Sequence, residues 1–327
     1  MADDGYFIGV DLGGTSILAA AVRQGNVLVE EKKKTRPEQG PDAVVERVEA
    51  VIRKVLDEAE DEGPAEAVCI GAPGAVDRTS GVVRRAPNLG WENFPLGEHL
   101  EKRLGLPVIV DNDVNVGVVG EHVHGAGRGA LHVAAIFVGT GVGGGLVVNG
   151  LPVDGFRGAA GEFGHIVVKP QGRLCPCGRE GCVEAYSSKT AMEAMVREKI
   201  DEGRQSIVLD VMRDKDKDGL TSSVIEKALE EKDEVMGEVV RTAQYYLGLL
   251  TADVVNAFDP EVIVFGGGVV ERLAESFVNP IALTAREHFL RREGAERIRI
   301  VPAALGDHAG TIGAAVVAQR SPHRFAG

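Results

Sequence analysis

Apolar residues along the chain gather in short runs that break at glycine-rich or polar tips, alternating with longer stretches in which they recur every three or four positions. Residues 6–10 form the first run. It breaks at Asp11-Leu12-Gly13-Gly14-Thr15 and resumes over 17–22 before Gln24-Gly25-Asn26, which predicts a strand, a tight glycine turn and a returning strand. Val44, Val45, Val48, Val51, Ile52 and Val55 have helical spacing, and Gly63-Pro64 ends the helix predicted over 42–61. Further strands are expected at 67–70, 107–110, 133–138 and 261–265, and helices over 234–257 and 309–319.

The run at 133–138 repeats the opening of the chain: it breaks at Gly139-Thr140-Gly141 and resumes over 146–148 before Asn149-Gly150. Two occurrences of strand, Gly/Thr turn, strand and turn predict two related α/β halves. The boundary is expected near residue 114. Residues 1–114, completed by a C-terminal helix within 308–327, would form a small α/β domain, and residues 115–307 a larger one.

Composition narrows the function classes. There are 43 glycines in 327 residues but only 14 prolines and no Gly-X-Y period, so the glycine excess is not collagen; 44% hydrophobic and 26% charged residues are globular values. A net charge of -13 repels phosphate backbones and anionic bilayers, which argues against nucleic-acid and membrane partners. The start Met1-Ala2-Asp3-Asp4 lacks the basic and apolar parts of a secretory signal. The most apolar run, 133–148, is too short and too glycine-rich for the ~20 residues of a membrane helix. A cytoplasmic protein is expected. In that reducing compartment the crowding of three of the four cysteines into one segment favours metal over disulfides.

The Gly/Thr turns are the first candidate chemistry. Glycine leaves backbone N–H groups open to a ligand and threonine adds a hydroxyl, so Gly13, Gly14 and Thr15, with Gly139, Thr140 and Gly141, suit phosphate oxygens; the plain alternative is a pair of tight hairpins. Gly139-x-Gly141-x-x-Gly144 matches the dinucleotide fingerprint but runs into a strand rather than a helix, so a Rossmann site is rejected, and no P-loop motif occurs. Asp11, at the end of the first strand, is placed to hold Mg²⁺ beside a phosphate, or merely to cap its turn. Asp111-Asn112-Asp113-Val114-Asn115 ends another strand, where a fixed carboxylate suits general-base work on a hydroxyl; the alternative is an Asx-rich cap for the next helix. His165 with Cys175, Cys177 and Cys182 makes the donor set of a closed, structural Cys₃His zinc site, against the alternative of free cysteines and a core histidine. Zinc there would also fix Glu162 and Glu184, candidate acceptors of polyol hydroxyls. Cys69, inside a strand, reads as a small buried hydrophobe. Asp214-x-Asp216-x-Asp218-Gly219 opens like a calcium loop, but Ile225 occupies the twelfth position, and Ser223-x-x-Glu226 reads better as a capping box.

Asp-Leu-Gly-Gly-Thr at 11–15, Gly-Ala-Pro-Gly-Ala-Val-Asp at 71–77, Asn-Asp-Val-Asn at 112–115, Gly-Thr-Gly at 139–141, Glu-Phe-Gly-His at 162–165 and the cysteine cluster together resemble the ROK family of sugar kinases and repressors, its glucokinases in particular. The resemblance implies an actin-like ATPase (ribonuclease H-like) fold, two α/β domains with a cleft between them, and phosphorylation of a hexose, glucose first, at its 6-hydroxyl by ATP with Mg²⁺. It implies Asp113 as the base and Asn88, Asn112, Glu162, His165 and Glu184 as ligands of the other hydroxyls. Gly13, Gly14, Thr15 and Thr140 would hold phosphates, Gly266, Gly267 and Gly268 would lie by the adenosine, and zinc would sit on His165 and the three cysteines. The resemblance also implies a homo-oligomer, a dimer or tetramer. N-acetylmannosamine, mannose or fructose as acceptor and polyphosphate as donor are the alternatives. A sugar-sensing repressor is more distant, since the first strand begins by Tyr6 and the charge opposes DNA.

Overall fold

The computed structural model describes residues 5–321. The ends of the expected first domain, including the last residues of its C-terminal helix, lie outside that range. The chain divides into two compact units. One comprises the residues up to Gly129, Pro152–Ala160 and the residues from Asp307 on; the other comprises Ala130–Leu151 and Gly161–Gly306.

The first unit is built on a five-stranded sheet of β1 (Tyr6–Leu12), β2 (Ser16–Arg23), β3 (Asn26–Lys34), β4 (Ala65–Ala72) and β8 (Val108–Asn112), ordered β3-β2-β1-β4-β8. The hairpin strands are antiparallel, while β1, β4 and β8 run parallel. Alternate residues of each parallel strand enter opposite cores. Ile8, Val10, Val68, Ile70, Val108 and Val110 pack on the side of helix α1 (Pro41–Glu58), whereas Ala67, Cys69 and Ile109 meet α3 (Asp113–Val123) and α11 (Ala309–Gln319). Burial on both faces is why these strands read as unbroken apolar runs. Cys69 is, as expected, a small hydrophobe within that second core. Helix α2 (Leu96–Leu104) precedes β8, and a three-stranded antiparallel sheet of β5 (Ala75–Asp77), β6 (Val82–Ala86) and β7 (Trp91–Phe94) follows β4.

The second unit repeats the strand order. Its sheet of β9 (Val133–Val138), β10 (Val142–Val148), β11 (Leu151–Pro152), β12 (Val262–Gly266) and β13 (Arg299–Pro302) is ordered β11-β10-β9-β12-β13. Again a hairpin joins the first two strands, and again two parallel strands follow on the other side. The helices of this unit are α4 (Glu184–Ser187), α5 (Lys189–Asp201), α6 (Val208–Asp214), α7 (Ser222–Glu230), α8 (Glu234–Phe258), α9 (Gly268–Leu273) and α10 (Glu275–Glu287). The duplication read from the two Gly/Thr turns is thus a duplication of topology.

Three expectations shift. The division falls after Gly129 rather than at 114, because α3 packs along α11 of the first unit; a Cβ at Gly313 would stand 1.7 Å from Val116 O, so the two backbones touch only because the residue is glycine. Strand β10 begins at Val142, four residues earlier than expected, since Gly143, Gly144 and Gly145 pair with Phe137, Ile136 and Ala135 despite their low strand preference. Helix α7 starts at Ser222 after Thr221, so Ser223 is not its cap and the capping box does not form. Among the described residues, no helix is long and apolar enough to cross a membrane.

Candidate active site

The parallel strands of the first unit end level with one another. Asp11 of β1 pairs with Gly71 of β4, which pairs with Asp111 of β8, so two carboxylates stand in one register row with a glycine between them. Ligands of open α/β sheets gather outside such carboxyl ends. Asn112 then caps α3: its amide oxygen accepts the Val114 and Asn115 N–H groups at 3.0 and 3.1 Å, and its Nδ2 donates to Gly74 O at 2.9 Å. The Asx-cap reading therefore holds for Asn112. Asp113 becomes the first residue of α3, its Oδ1 accepting from Val114 N at 2.9 Å.

This setting controls protonation. Burial first, and the Asp11 carboxylate second, push Asp113 up to about 7 against the pull of its backbone hydrogen bonds. Asp11 itself is raised to about 6 by burial and by Asp307, with Lys32 opposing. Asp113 is thus half ionised near neutrality, a state suited to accepting a proton from a hydroxyl. Gly310 of α11 passes so close to Asp11 that a Cβ there would stand 3.1 Å from its side chain.

Each Gly/Thr turn is braced by one backbone N–H and one threonine hydroxyl, although the carbonyls that accept them are exchanged between the two turns. In the first unit Thr35, which is fully buried, donates its N–H to Thr15 O at 3.0 Å and its hydroxyl to Gly13 O at 2.6 Å. In the second, Lys189 N donates to Gly139 O at 3.0 Å and the Thr190 hydroxyl to Thr140 O at 2.9 Å. Each turn also closes on itself, Gly13 N to Ser16 O and Gly139 N to Gly141 O, both at 2.9 Å. Carbonyls held inward leave Thr15 and Thr140 exposed at the tips. Sequence reading missed Thr35, Lys189 and Thr190, none of which lies in a glycine motif. Asn88 is exposed in the first unit beside the Gly14 turn, where a Cβ on Gly14 would lie 3.2 Å from Asn88 Cβ.

In the second unit, one ligand atom each from His165, Cys175, Cys177 and Cys182 lies within 4.8 Å of the others. Cys175 Sγ is 3.7 Å from His165 Nδ1, and Cys177 Sγ is 3.7 Å from Cys182 Sγ. A tetrahedral zinc with Zn–S of about 2.3 Å and Zn–N of about 2.0–2.1 Å sets its ligands roughly 3.5–3.8 Å apart, so these donors fit the ion. The Cys175 loop is held by Cys175 N to Arg179 O and Gly178 N to Cys175 O. Glu184 begins α4 next to the cluster; its Oε2 accepts from Val142 N at 2.9 Å and its Oε1 lies 3.6 Å from Cys175 Sγ, joining the cysteine site to the Gly/Thr turn. Glu162 is exposed, one residue before Phe163, whose ring lies against Gly144. Gly266 and Gly267 are crowded by β9: a Cβ would meet the Phe137 ring or Val138 O at 2.6 Å, and Gly267 has φ 86°. Close packing of β12 explains those two glycines without a nucleotide, while Gly268 opens α9 beside Ser222.

The match to the ROK family model extends over residues 7–321, nearly the whole described chain. The chain belongs to the ROK family. A glucokinase of Halalkalibacterium halodurans is 37% identical over 316 residues, covering 95% of this chain and 94% of the relative, and a glucokinase of Thermotoga maritima is 34% identical over 312 residues, covering 95% and 96%. The crystal structure of a ROK family glucokinase from Streptomyces griseus in complex with glucose and AMPPNP superposes with a TM-score of 0.83 at 35% identity, covering 97% of this chain and all of that one. This ROK chain accordingly has the actin-like ATPase fold expected from its motifs.

The raised Asp113 has a consequence for stability in this ROK protein. An unfolded Asp113 releases its proton near its ordinary value of 3.8, the folded one near 7. The folded state therefore loses stability as pH rises through that window, at up to about 1.4 kcal/mol per pH unit. Asp113→Asn, which keeps the acceptor for Val114 N, is expected to melt about 5 °C above the parent at pH 8 and level with it at pH 4, read by thermal unfolding. Equal Tm values at pH 8 would show that the Asp113 carboxylate is not held in a costly setting.

Proposed function

We propose that the protein is an ATP- and Mg²⁺-dependent sugar kinase that phosphorylates the 6-hydroxyl of a hexose, glucose being the preferred acceptor. The observation that carries this reading is Asp113: a carboxylate fixed at the start of α3, raised by burial and Asp11 toward neutral pH, in a chain that is 37% identical to a glucokinase over 95% of its length. Asp113 takes the proton from the 6-hydroxyl as its oxygen attacks the terminal phosphoryl group. Asn88, Asn112, Glu162, His165 and Glu184 are assigned to the remaining hydroxyls. Asn112 does so while holding the start of α3, and His165 does so through Nε2, since Nδ1 faces Cys175. Phosphate oxygens are assigned to the two braced turns, through Gly13, Gly14, Thr15, Gly139, Thr140 and Gly141, and the adenosine to Gly266, Gly267 and Gly268.

Bound Mg²⁺ supplies neutralisation of phosphate charge, with Asp11 as the carboxylate that holds it directly or through water. Zinc on His165, Cys175, Cys177 and Cys182 is structural: four protein donors leave no open position for catalysis. Its role is to fix the His165 ring and, through Cys182 and Glu184, the approach to the second turn. We also assign the enzyme to the cytoplasm, in a dimer or tetramer, without nucleic-acid or membrane partners.

The deciding assay couples ADP release to a panel of glucose, mannose, fructose and N-acetylmannosamine, with ATP and polyphosphate as donors. Glucose with ATP is expected to give the highest kcat/KM; no turnover with any hexose would overturn the reading. Asp113→Asn is expected to lower kcat at least ~10²-fold while sugar affinity is retained. Variant turnover within a few-fold of the parent would remove Asp113 from the proton transfer.

Elemental analysis after exhaustive dialysis should find about one zinc per chain, and stripping it with a strong chelator should lower Tm. A protein that is metal-free, stable and fully active would contradict the structural zinc.

A further inference from the structure

Arg78, the residue after β5, stands between two carboxylates of the first unit. Its Nε lies 2.9 Å from Asp111 Oδ2 and its Nη1 2.6 Å from Asp154 Oδ2. The Asp111 side chain is only 3% exposed, Asp154 42%. Asp111 is also tied to residues on either side of Asp113: its Oδ1 accepts from Asn112 N at 2.7 Å, and it bonds the Asn115 side chain. Asp154 belongs to Pro152–Ala160, the excursion that joins the first unit although the chain on either side of it lies in the second. That excursion closes on itself, Ala160 N donating to Asp154 O at 3.1 Å and Gly158 N to Gly155 O at 3.3 Å, and it leads covalently into Gly161 and Glu162.

A buried ion pair of this kind adds little net stability, because desolvating its charges offsets their attraction. What a planar guanidinium with two anionic partners fixes is position. We propose that Arg78 is a positioning residue for the hexose site, clamping the Asp111–Asn112 strand end to the 152–160 segment of the same unit so that Asp113 is held for the sugar. The proposal rests on the sugar-kinase reading. Arg78 touches no reacting atom in it; the clamp acts through Asp111 on one side and Asp154 on the other.

Asp154→Ala removes only the exposed arm and leaves the buried Arg78–Asp111 pair intact, so it folds even where Arg78→Met does not. In Asp154→Ala the KM for glucose is expected to rise about tenfold, with kcat within about threefold and the KM for ATP unchanged, because placement of bound sugar is what the clamp supplies. Arg78→Lys, a point charge without the fork, should fall between parent and Asp154→Ala. Hydrogen exchange gives a readout apart from activity: the amides of Gly158 and Ala160 should exchange faster in Asp154→Ala than in the parent. Faster exchange with an unchanged glucose KM would make the clamp a structural tie only, and unchanged exchange would show no clamp; either overturns the proposal while leaving the kinase reading standing. A parent that phosphorylates no hexose overturns both.

Discussion

The chemistry of this protein depends on one constraint, the crowding of carboxylates at the carboxyl ends of parallel strands where water is scarce. Asp11, Gly71 and Asp111 lie in one register row, and Asp113 follows a single residue after the strand that carries Asp111. Gly71 makes the row possible, because a Cβ there would stand 2.6 Å from Val116 and 3.2 Å from the Asp113 backbone. Burial raises each of the three, Asp11 raises Asp113 further, and Arg78 is the counter-charge that lowers Asp111.

The rest of the fold serves to hold that row and its counterpart still. In the first unit the sheet is buried on both faces, and α3 and α11 approach until Gly120 and Gly313 leave no room for a side chain. The N-terminus of α3 is thereby seated on a rigid support, with Asn112 as its cap. In the second unit the cysteine cluster does for a loop what a core does for a helix: the residues between Cys175 and Cys182 are irregular, and Cys175 and Cys182 are buried while Cys177 is not. Glu184 links that cluster to the start of β10 beside the second Gly/Thr turn, so one carboxylate ties the two together within the same unit.

Much of this was legible in the chain. The repeated strand and Gly/Thr turn announced a duplicated topology because unbroken apolar runs require burial on both faces, and the Cys₃His spacing announced a metal-type cluster that the structure brings together. Helix α11 falls on the expected residues 309–319, its start marked by Asp307-His308. Less visible were features set by tertiary contact. Strands β5 to β7 are short and carry polar residues such as Arg84, Arg85 and Glu92, so no period marks them. Thr35 looks like the end of a basic run, and only folding turns it inward against Gly13 and Thr15. Arg78 sits 33 and 76 positions from its two carboxylates, a pairing no local motif encodes. Gly266 and Gly267 carry a second requirement that the glycine run does not reveal by itself, since the packing of β12 on β9 already leaves no room for a Cβ at either position.

The most direct test of the buried-base idea is the pH dependence of kcat/KM for glucose in the unmodified enzyme. With Asp113 held near 7, the acid limb has its midpoint within about a unit of pH 7 and kcat/KM falls tenfold for each further unit of acidity. A profile that stays flat down to pH 5, as an ordinary exposed carboxylate would give, contradicts the raised Asp113 on which the proposed mechanism depends.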